Sequence, residues 1–442
     1  MDNSLRDKYT FIKLLKFTIP TMITLIFTSI YNVVDSLFIS NYVGKESFAS
    51  VNFIFPFLMC LGAVGFMFGT GGSALISKTM GEGDKEKPNQ LFSLIVYVSF
   101  IIGVLLAVLG LLFLRPVASI LGAEGSLLEG SMEYGNIIIL SVPAFVLQFE
   151  FQSFFSTAGK PRLCLYITMI AGLTNIILDA IFIVLFGWGL KGAALATVIS
   201  QYIGGGLPLL YFSMPNTSFL RFCKLRFNIK ALLKVCTNGS SELLSQISMS
   251  FVSMLYNVQL LKYASSDGVA AYGVLMSVGF IFHAIFIGYA VGVTPIIGYQ
   301  YGAKDSEELK NLLKKSFILI ACFAISMFLA SIALSIPLSF LFVGYDKSLF
   351  SMTIQAFSFF SFAFLFSGYA IFGSAFFTAL NNGLVSAIIS FMRTVVFEVV
   401  AVLIFPMIWG INGIWASIVG TEIMAVILVF FFLAIKRKQY GY

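Results

Sequence analysis

The sequence has few of the side chains on which soluble catalytic and metal sites depend. Its 442 residues include a single histidine, His283, and five cysteines, without a Cys-x-x-Cys pair or a cluster of cysteine with histidine. Structural zinc sites and enzyme active sites both need convergent groups of this kind, so we expect neither an enzyme nor a protein with a bound cofactor. The odd cysteine count also argues against a disulfide framework.

Charged residues are scarce as well. They make up 11% of the chain, whereas soluble domains contain about 25%. Hydrophobic residues reach 59%, phenylalanine alone occurs 49 times, and the mean hydropathy is +0.97. This composition excludes an ordinary soluble protein and indicates a chain whose solvent is the lipid bilayer.

The apolar residues form long stretches, each able to span about 30 Å of hydrocarbon. They predict an all-α integral membrane protein with twelve transmembrane helices. The predicted spans are 13–40, 50–77, 91–114, 132–155, 163–186, 192–213, 232–262, 270–301, 316–343, 350–378, 385–408 and 413–435.

The basic residues are distributed unevenly between the two sides of these spans. With the N-terminus inside, all but five of the 27 lysines and arginines fall on the cytoplasmic side. This bias predicts a multi-pass protein of the cell membrane with both termini on the cytoplasmic side. It also accounts for the net charge of +7 without a nucleic-acid partner. The five residues outside are Lys45, Arg115, Lys191, Lys262 and Lys347.

The chain repeats itself with an offset of about 221 residues. Three pairs of segments match: 187–200 with 408–421, 76–87 with 297–308, and 154–161 with 376–383. Because each unit holds six spans, both halves have the same orientation and are related by a pseudo-two-fold axis along the membrane normal.

The repeat divides the chain into an N-lobe of residues 1–213, a cytoplasmic linker of residues 214–231 and a C-lobe of residues 232–442. Two lobes around a central cavity are typical of transporters that work by alternating access. Duplicated helix bundles also occur in channels and membrane enzymes, which the repeat alone does not exclude.

A polar cluster is predicted in the N-lobe, in the outer half of the membrane. Asp35, Asp179 and Thr197 lie at similar depth on the first, fifth and sixth spans, and Asn175 shares a helix face with Asp179. In the second half these positions correspond to Tyr256, Val400, Ile418 and Val396, so the cluster belongs to one lobe only.

Such a cluster has two interpretations. Oxygen ligands alone suit a hard cation such as Na⁺, and two carboxylates kept from water favour uptake of a proton by one of them. Alternatively, the carboxyls form hydrogen bonds that hold the helices together. An ionisable group costs about 2.5–3.5 kcal/mol or more in the membrane, so each one requires a reason.

Four segments together resemble the multidrug and toxic compound extrusion (MATE) family, in particular its MepA-like bacterial branch. They are YNVVDSLFISNYVG (31–44), GTGGSALISKTMGEGD (69–84), STAGKPR (156–162) and WGLKGAALAT (188–197). The likeness covers essentially the whole chain. It implies a N-lobe cation or proton site at Asp35, Asn175, Asp179 and Thr197, joined by Tyr31.

The resemblance implies a secondary multidrug exporter, a cause of antibiotic resistance, that exchanges amphipathic or cationic compounds for H⁺. Na⁺ bound by the same four residues remains open. NorM-like relatives carry acids on helices 7 and 10, but here only Glu242 matches, which puts a C-lobe Na⁺ site in doubt. The alternative is a flippase for a lipid-linked or other large amphiphile. We expect a monomer in the bilayer.

Other polar residues in the spans have two readings each. Gln148 and Gln152 share a helix face and either line the substrate cavity or join helices. Glu242 either attracts a cationic substrate or is a neutral acid bonded to Ser245 or Gln246. For His283 we favour a packing role. Internal pairing in the C-lobe is favoured for Arg393, Glu398 and Glu422.

Overall fold

The computed structural model describes Leu5, residues 8–344 and residues 346–442, except for the side chains of Lys45, Ser250 and Ser266. Arg6, counted above on the cytoplasmic side, lies outside this part of the chain. The described residues form helices and contain no strand, which confirms the all-α prediction.

The helices follow one another with short connections apart from the linker. Those of the first half are α1 (Phe11–Phe38), α2 (Lys45–Gly81), α3 (Lys87–Ile120), α4 (Gly125–Ile139), α5 (Val142–Thr157), α6 (Pro161–Asp179) and α7 (Gly189–Ser213). Those of the second half are α8 (Ile229–Gly302), α9 (Ser306–Val343), α10 (Lys347–Ala379), α11 (Gly383–Phe391), α12 (Glu398–Trp409) and α13 (Ile411–Tyr440). Three π-helical segments continue α1, α6 and α11: Ile39–Val43, Ala180–Leu185 and Met392–Phe397.

Helices lie over every predicted span. The first and fifth spans include a π-helical segment, the eleventh consists of α11, its π-helical segment and α12, and the fourth is divided between α4 and α5. In the described chain, ten helices are each long and apolar enough to cross a membrane, and the bent pair of α4 and α5 makes an eleventh. The predicted seventh span is the first part of α8. This part of α8 carries polar residues such as Asn238 and Glu242 and is not among the helices that meet this measure. The first helix of the C-lobe, α8, begins at Ile229, slightly before the predicted end of the linker.

Two predicted boundaries are set by local breaks in the backbone. The fourth span, predicted as one helix over 132–155, is bent by 61° between α4 and α5. Pro143 lies at the start of α5 and has no amide proton, so it cannot continue the hydrogen bonds of α4. The seventh and eighth spans are divided at Ser265, whose φ of 53° and ψ of −154° are not helical.

The two halves are joined on one face of the bundle, which we call the terminal face because it carries the chain ends. There α2 packs directly against α8 through glycines. A Cβ atom on Gly71 would lie 2.1 Å from the Val235 carbonyl oxygen, and one on Gly81 would lie 2.0 Å from that of Tyr299. Only glycine permits this approach, so a larger residue would push the lobes apart.

Buried apolar residues are organised differently towards the other side of the bundle, which we call the opposite face. One cluster there, around Ile54 and Tyr134, contains N-lobe residues only. A second, around Phe357 and Trp415, contains C-lobe residues only. Clusters nearer the terminal face include residues of both halves, such as Tyr9 with Leu309. The described residues therefore form one closed unit at the terminal face and two separate cores beyond it.

Candidate cation-coupling site

The predicted N-lobe site forms where α1 packs against α6. A Cβ atom on Gly172 of α6 would lie 2.7 Å from the Phe27 ring and 2.8 Å from the Tyr31 ring. The missing side chain lets α1 lie flat on α6. This contact brings Asp35, one turn beyond Tyr31 on α1, towards Asp179, two turns beyond Gly172 on α6.

Asp35 and Asp179 lie close enough for a proton on one carboxyl to be donated to the other. Asp179 is fully buried. Both of its carboxylate oxygens, and one of Asp35, receive no hydrogen bond from the described residues. A buried carboxylate without donors is costly, so the pair favours a bound proton or cation between its oxygens. Hydrogen bonds from neighbouring side chains, the structural alternative, do not satisfy these oxygens.

The other two predicted ligands lie beside the carboxyl pair. Asn175 is buried, and its amide donates a 3.4 Å hydrogen bond to the Thr197 hydroxyl on α7. Ser200, one turn further along α7, donates to the Ala171 carbonyl at 2.8 Å and fixes α7 against α6. The structure therefore brings Asp35, Asn175, Asp179 and Thr197 together in one place.

Sequence reasoning missed Tyr134, which belongs to the same group. This tyrosine of α4 is buried, lies against Thr197, and is close to both Asp35 and Asp179. Because α4 bends away from α5, the residue is brought into the cluster by a break that the apolar pattern did not reveal. The signal available was a tyrosine among polar residues near the outer end of a predicted span.

The predicted cavity glutamines occupy the neighbouring helix α5. Gln148 lies beside Tyr31, and its amide fits against Gly204 of α7, where a Cβ atom would lie 2.7 Å away. Gln148 and Gln152 are both buried, and each has a polar atom without a described hydrogen-bond partner. Gln148 thus extends the polar group around Asp35, whereas a role in binding substrate stays a prediction for both.

The corresponding region of the C-lobe is organised around an ion pair. Arg393 Nε donates to Glu422 Oε2 at 3.0 Å and Nη2 donates to Oε1 at 2.6 Å. This bidentate contact confirms the predicted internal pairing for these two residues. Glu242 and Glu398 lie close enough to Arg393 to feel its charge. Tyr256, the sequence counterpart of Asp35, shares a 3.0 Å hydrogen bond with the Ser417 hydroxyl.

Three further polar residues have satisfied or enclosed positions. His283 contacts the Gly279 carbonyl through Nδ1 at 2.9 Å and lies against Phe364, in agreement with a packing role. Ser245, a suggested partner of Glu242, donates instead to the Ser241 carbonyl. Glu150 is fully buried on α5 and accepts a hydrogen bond from Ser99.

Comparison with known proteins decides the family. The sequence profile of the MatE family matches residues 20–181 and again residues 243–404. The chain belongs to the MatE family. The double match places one copy of the profile in each predicted lobe, in agreement with the internal repeat, and confirms the resemblance drawn from the motifs.

Two curated relatives of this MatE chain are proteins called multidrug export protein MepA. The one from Staphylococcus haemolyticus (strain JCSC1435) is 29% identical over 322 residues, which cover 72% of this chain and 71% of the relative. The one from Staphylococcus aureus (strain MRSA252) is 25% identical over 416 residues, covering 93% and 91%.

Solved structures support the fold. A MOP superfamily transporter from Pyrococcus furiosus superposes with a TM-score of 0.93 at 23% identity, covering 99% of this chain and 98% of the other. The chain therefore has the twelve-helix, two-lobe fold of MATE transporters.

Proposed function

We propose that this protein is a secondary multidrug exporter that releases amphipathic, often cationic, compounds outside the cell in exchange for H⁺. The observation that carries the proposal is the adjacent pair Asp35 and Asp179, whose buried oxygens lack described hydrogen-bond donors. Such a pair binds a proton favourably, because the two carboxylates repel each other when both are charged. The relatives named multidrug export protein support the substrate class.

Helix α1 supplies a route from this charge change to the contact between the lobes. Its first half packs on the C-lobe, where a Cβ atom on Gly288 would lie 2.5 Å from Met22 Cα. Its second half packs on the N-lobe through Gly172. Pro20, between the ends of the helix, removes one backbone hydrogen bond and permits bending. A change at Asp35 therefore acts on a helix that contacts both lobes.

Coupling follows if ion and drug prefer different arrangements of the lobes. A proton that enters from outside neutralises the pair and favours the arrangement that releases drug, and its loss to the cytoplasm resets the transporter. This direction requires both termini to lie on the cytoplasmic side of the cell membrane, as the basic residues indicate. The same four side chains offer only oxygen ligands, so Na⁺ is the competing ion.

Transport in proteoliposomes tests the proposal. Purified protein is reconstituted, and uptake of a fluorescent organic-cation dye is measured under an imposed pH gradient or an imposed Na⁺ gradient. We expect the pH gradient alone to drive uptake and a protonophore to abolish it. Uptake driven by Na⁺ alone would refute proton coupling, and uptake indifferent to both gradients would refute antiport.

A further inference from the structure

A cavity of about 580 Å³ opens on the terminal face of the N-lobe, away from the carboxyl pair. It lies between the first turns of α1 and the turn that joins α5 to α6. Four basic side chains line it: Lys16, Lys160, Arg162 and Lys13, the last of which lies over the Tyr9 ring at 5.7 Å. No acidic residue is among its described lining residues.

Three of these four, Lys16, Lys160 and Arg162, are not engaged elsewhere in the described part of the chain. Lys16 and Arg162 are exposed and Lys160 is half-buried, and neither a hydrogen bond nor an ion pair of their side chains to a described residue is present. Like charges gathered around one cavity repel one another. Their convergence therefore favours an anion that joins them.

In the C-lobe, the position that corresponds to this cavity is filled. The turn between α10 and α11 corresponds to the turn between α5 and α6, and Asn381 there has a positive φ as Gly159 does. Lys234, near the start of α8, donates to the Asn381 carbonyl at 2.7 Å. A Cβ atom on Gly383 would lie 2.0 Å from the Thr237 carbonyl oxygen, so no space is left.

The starts of α6 and α11, which correspond to each other in the repeat, also differ. In the C-lobe, Asn382 caps α11 by accepting from the Val385 amide. In the N-lobe, Lys160 occupies this position in front of α6 and gives no side-chain cap. Replacement of a neutral cap by a cation leaves the positive end of the α6 dipole directed at the basic cavity, which adds to its attraction for an anion.

The surroundings of the cavity are those of a membrane interface. Tyr166 and Tyr211 line it at the ends of α6 and α7, and Phe17 lies deeper along α1. Tyrosines with lysines and arginines at the ends of spanning helices mark the level of the lipid headgroups, and basic cavities between such helices bind anionic headgroups. The apolar residues beyond, such as Phe17, suit the first part of an acyl chain.

We propose that this cavity binds the phosphodiester headgroup of an anionic phospholipid in the cytoplasmic leaflet, with Lys16, Lys160 and Arg162 around the phosphate. The site joins the start of α1 to the start of α6, the two helices that carry Asp35 and Asp179. A bound lipid therefore ties together the terminal ends of the helices that form the coupling site. This role is separate from transport of the substrate.

Lipid retention in native mass spectrometry of the detergent-purified protein tests this proposal. The protein is titrated with phosphatidylglycerol, with phosphatidylcholine of the same chains, or with inorganic phosphate. The test variant is Lys16→Gln/Lys160→Gln/Arg162→Gln. The control variant is Lys224→Gln/Lys230→Gln/Lys314→Gln, which removes the same charge from exposed positions on the terminal face.

We expect the wild type and the control to retain phosphatidylglycerol in preference to phosphatidylcholine, and the test variant to bind it roughly tenfold more weakly or worse. Equal weakening in both variants would overturn the proposal, since it would show attraction to the basic face as a whole. Binding of inorganic phosphate with the same affinity as the lipid would overturn the lipid assignment. An unchanged affinity in the test variant would overturn the site.

Discussion

The two lobes of this protein treat buried charge in opposite ways. In the N-lobe, Asp35 and Asp179 face each other with buried oxygens that have no described donors. In the C-lobe, Glu422 receives two hydrogen bonds from Arg393 at 3.0 and 2.6 Å. A satisfied pair holds one arrangement, whereas an unsatisfied pair responds to an added ion. In the mechanism that we propose, the N-lobe supplies the response and the C-lobe supplies a fixed partner.

The largest effect is expected when the ion pair of the C-lobe is broken. Glu422→Gln leaves the Arg393 guanidinium without its bidentate carboxylate, and loss of one partner of a buried pair costs about 3–5 kcal/mol. We expect about 3 kcal/mol, the lower end, because Glu242 and Glu398 also lie near Arg393. Thermal unfolding in detergent measures the loss.

The matched variant makes the same chemical change in the N-lobe. Asp179→Asn removes one of two facing carboxyls that lack donors, so we expect no loss of thermal stability but a fall of dye transport to background. Comparable destabilisation by the two variants would contradict the difference between the lobes.

The second prediction concerns the contact between α1 and α6. Gly172→Ala places a methyl group where the rings of Phe27 and Tyr31 lie, 2.7 and 2.8 Å away. Displacement of α1 moves Asp35 away from Asp179, and small displacements at a site of this kind reduce rates strongly. We expect transport to fall roughly tenfold. Gly206→Ala on α7 is the control, because nothing lies within 4 Å of its added methyl group; equal loss in both would point to a general effect.

The third prediction concerns the residue that sequence reasoning missed. Tyr134→Phe removes a hydroxyl that lies against Thr197 and close to both carboxyls. A lost hydrogen bond to a neutral partner is worth about 0.5–1.5 kcal/mol, so we expect a several-fold loss of pH-driven transport. Tyr97→Phe, at a tyrosine that is 54% exposed on α3, should leave transport unchanged.

The smallest effect is expected at Thr197. Thr197→Val removes the acceptor of the Asn175 amide, while Thr197→Ser retains it. For a proton-coupled site we expect about a twofold loss of transport, the size of one weak hydrogen bond. If Na⁺ is the coupling ion, Thr197 is a direct ligand and the valine variant should instead raise the Na⁺ concentration required for transport by a large factor.

Much of the fold was predictable because a bilayer imposes simple rules. Span length, the basic bias and the repeat led to twelve helices in two like-oriented lobes. The bend between α4 and α5 and the break at Ser265 depend on backbone geometry that hydropathy does not encode.

The candidate site was predicted in part. Asp35, Asn175, Asp179 and Thr197 stood out because ionisable and polar groups in the membrane need a reason, and the structure brings them together. Tyr134 escaped because tyrosine is unremarkable near a helix end. The bidentate geometry between Arg393 and Glu422 depends on how α13 packs beside the π-helical segment that follows α11, which the apolar pattern of the sequence does not fix.

Drug-driven proton movement in proteoliposomes tests the central claim, that coupling resides in the N-lobe alone, most directly. A pH-sensitive dye inside the vesicles reports proton flux when a gradient of an organic cation is imposed. We predict that flux disappears in Asp179→Asn and persists in Glu398→Gln, a C-lobe variant with the same change of charge. Flux that persists in Asp179→Asn, or that disappears in Glu398→Gln, would contradict the account.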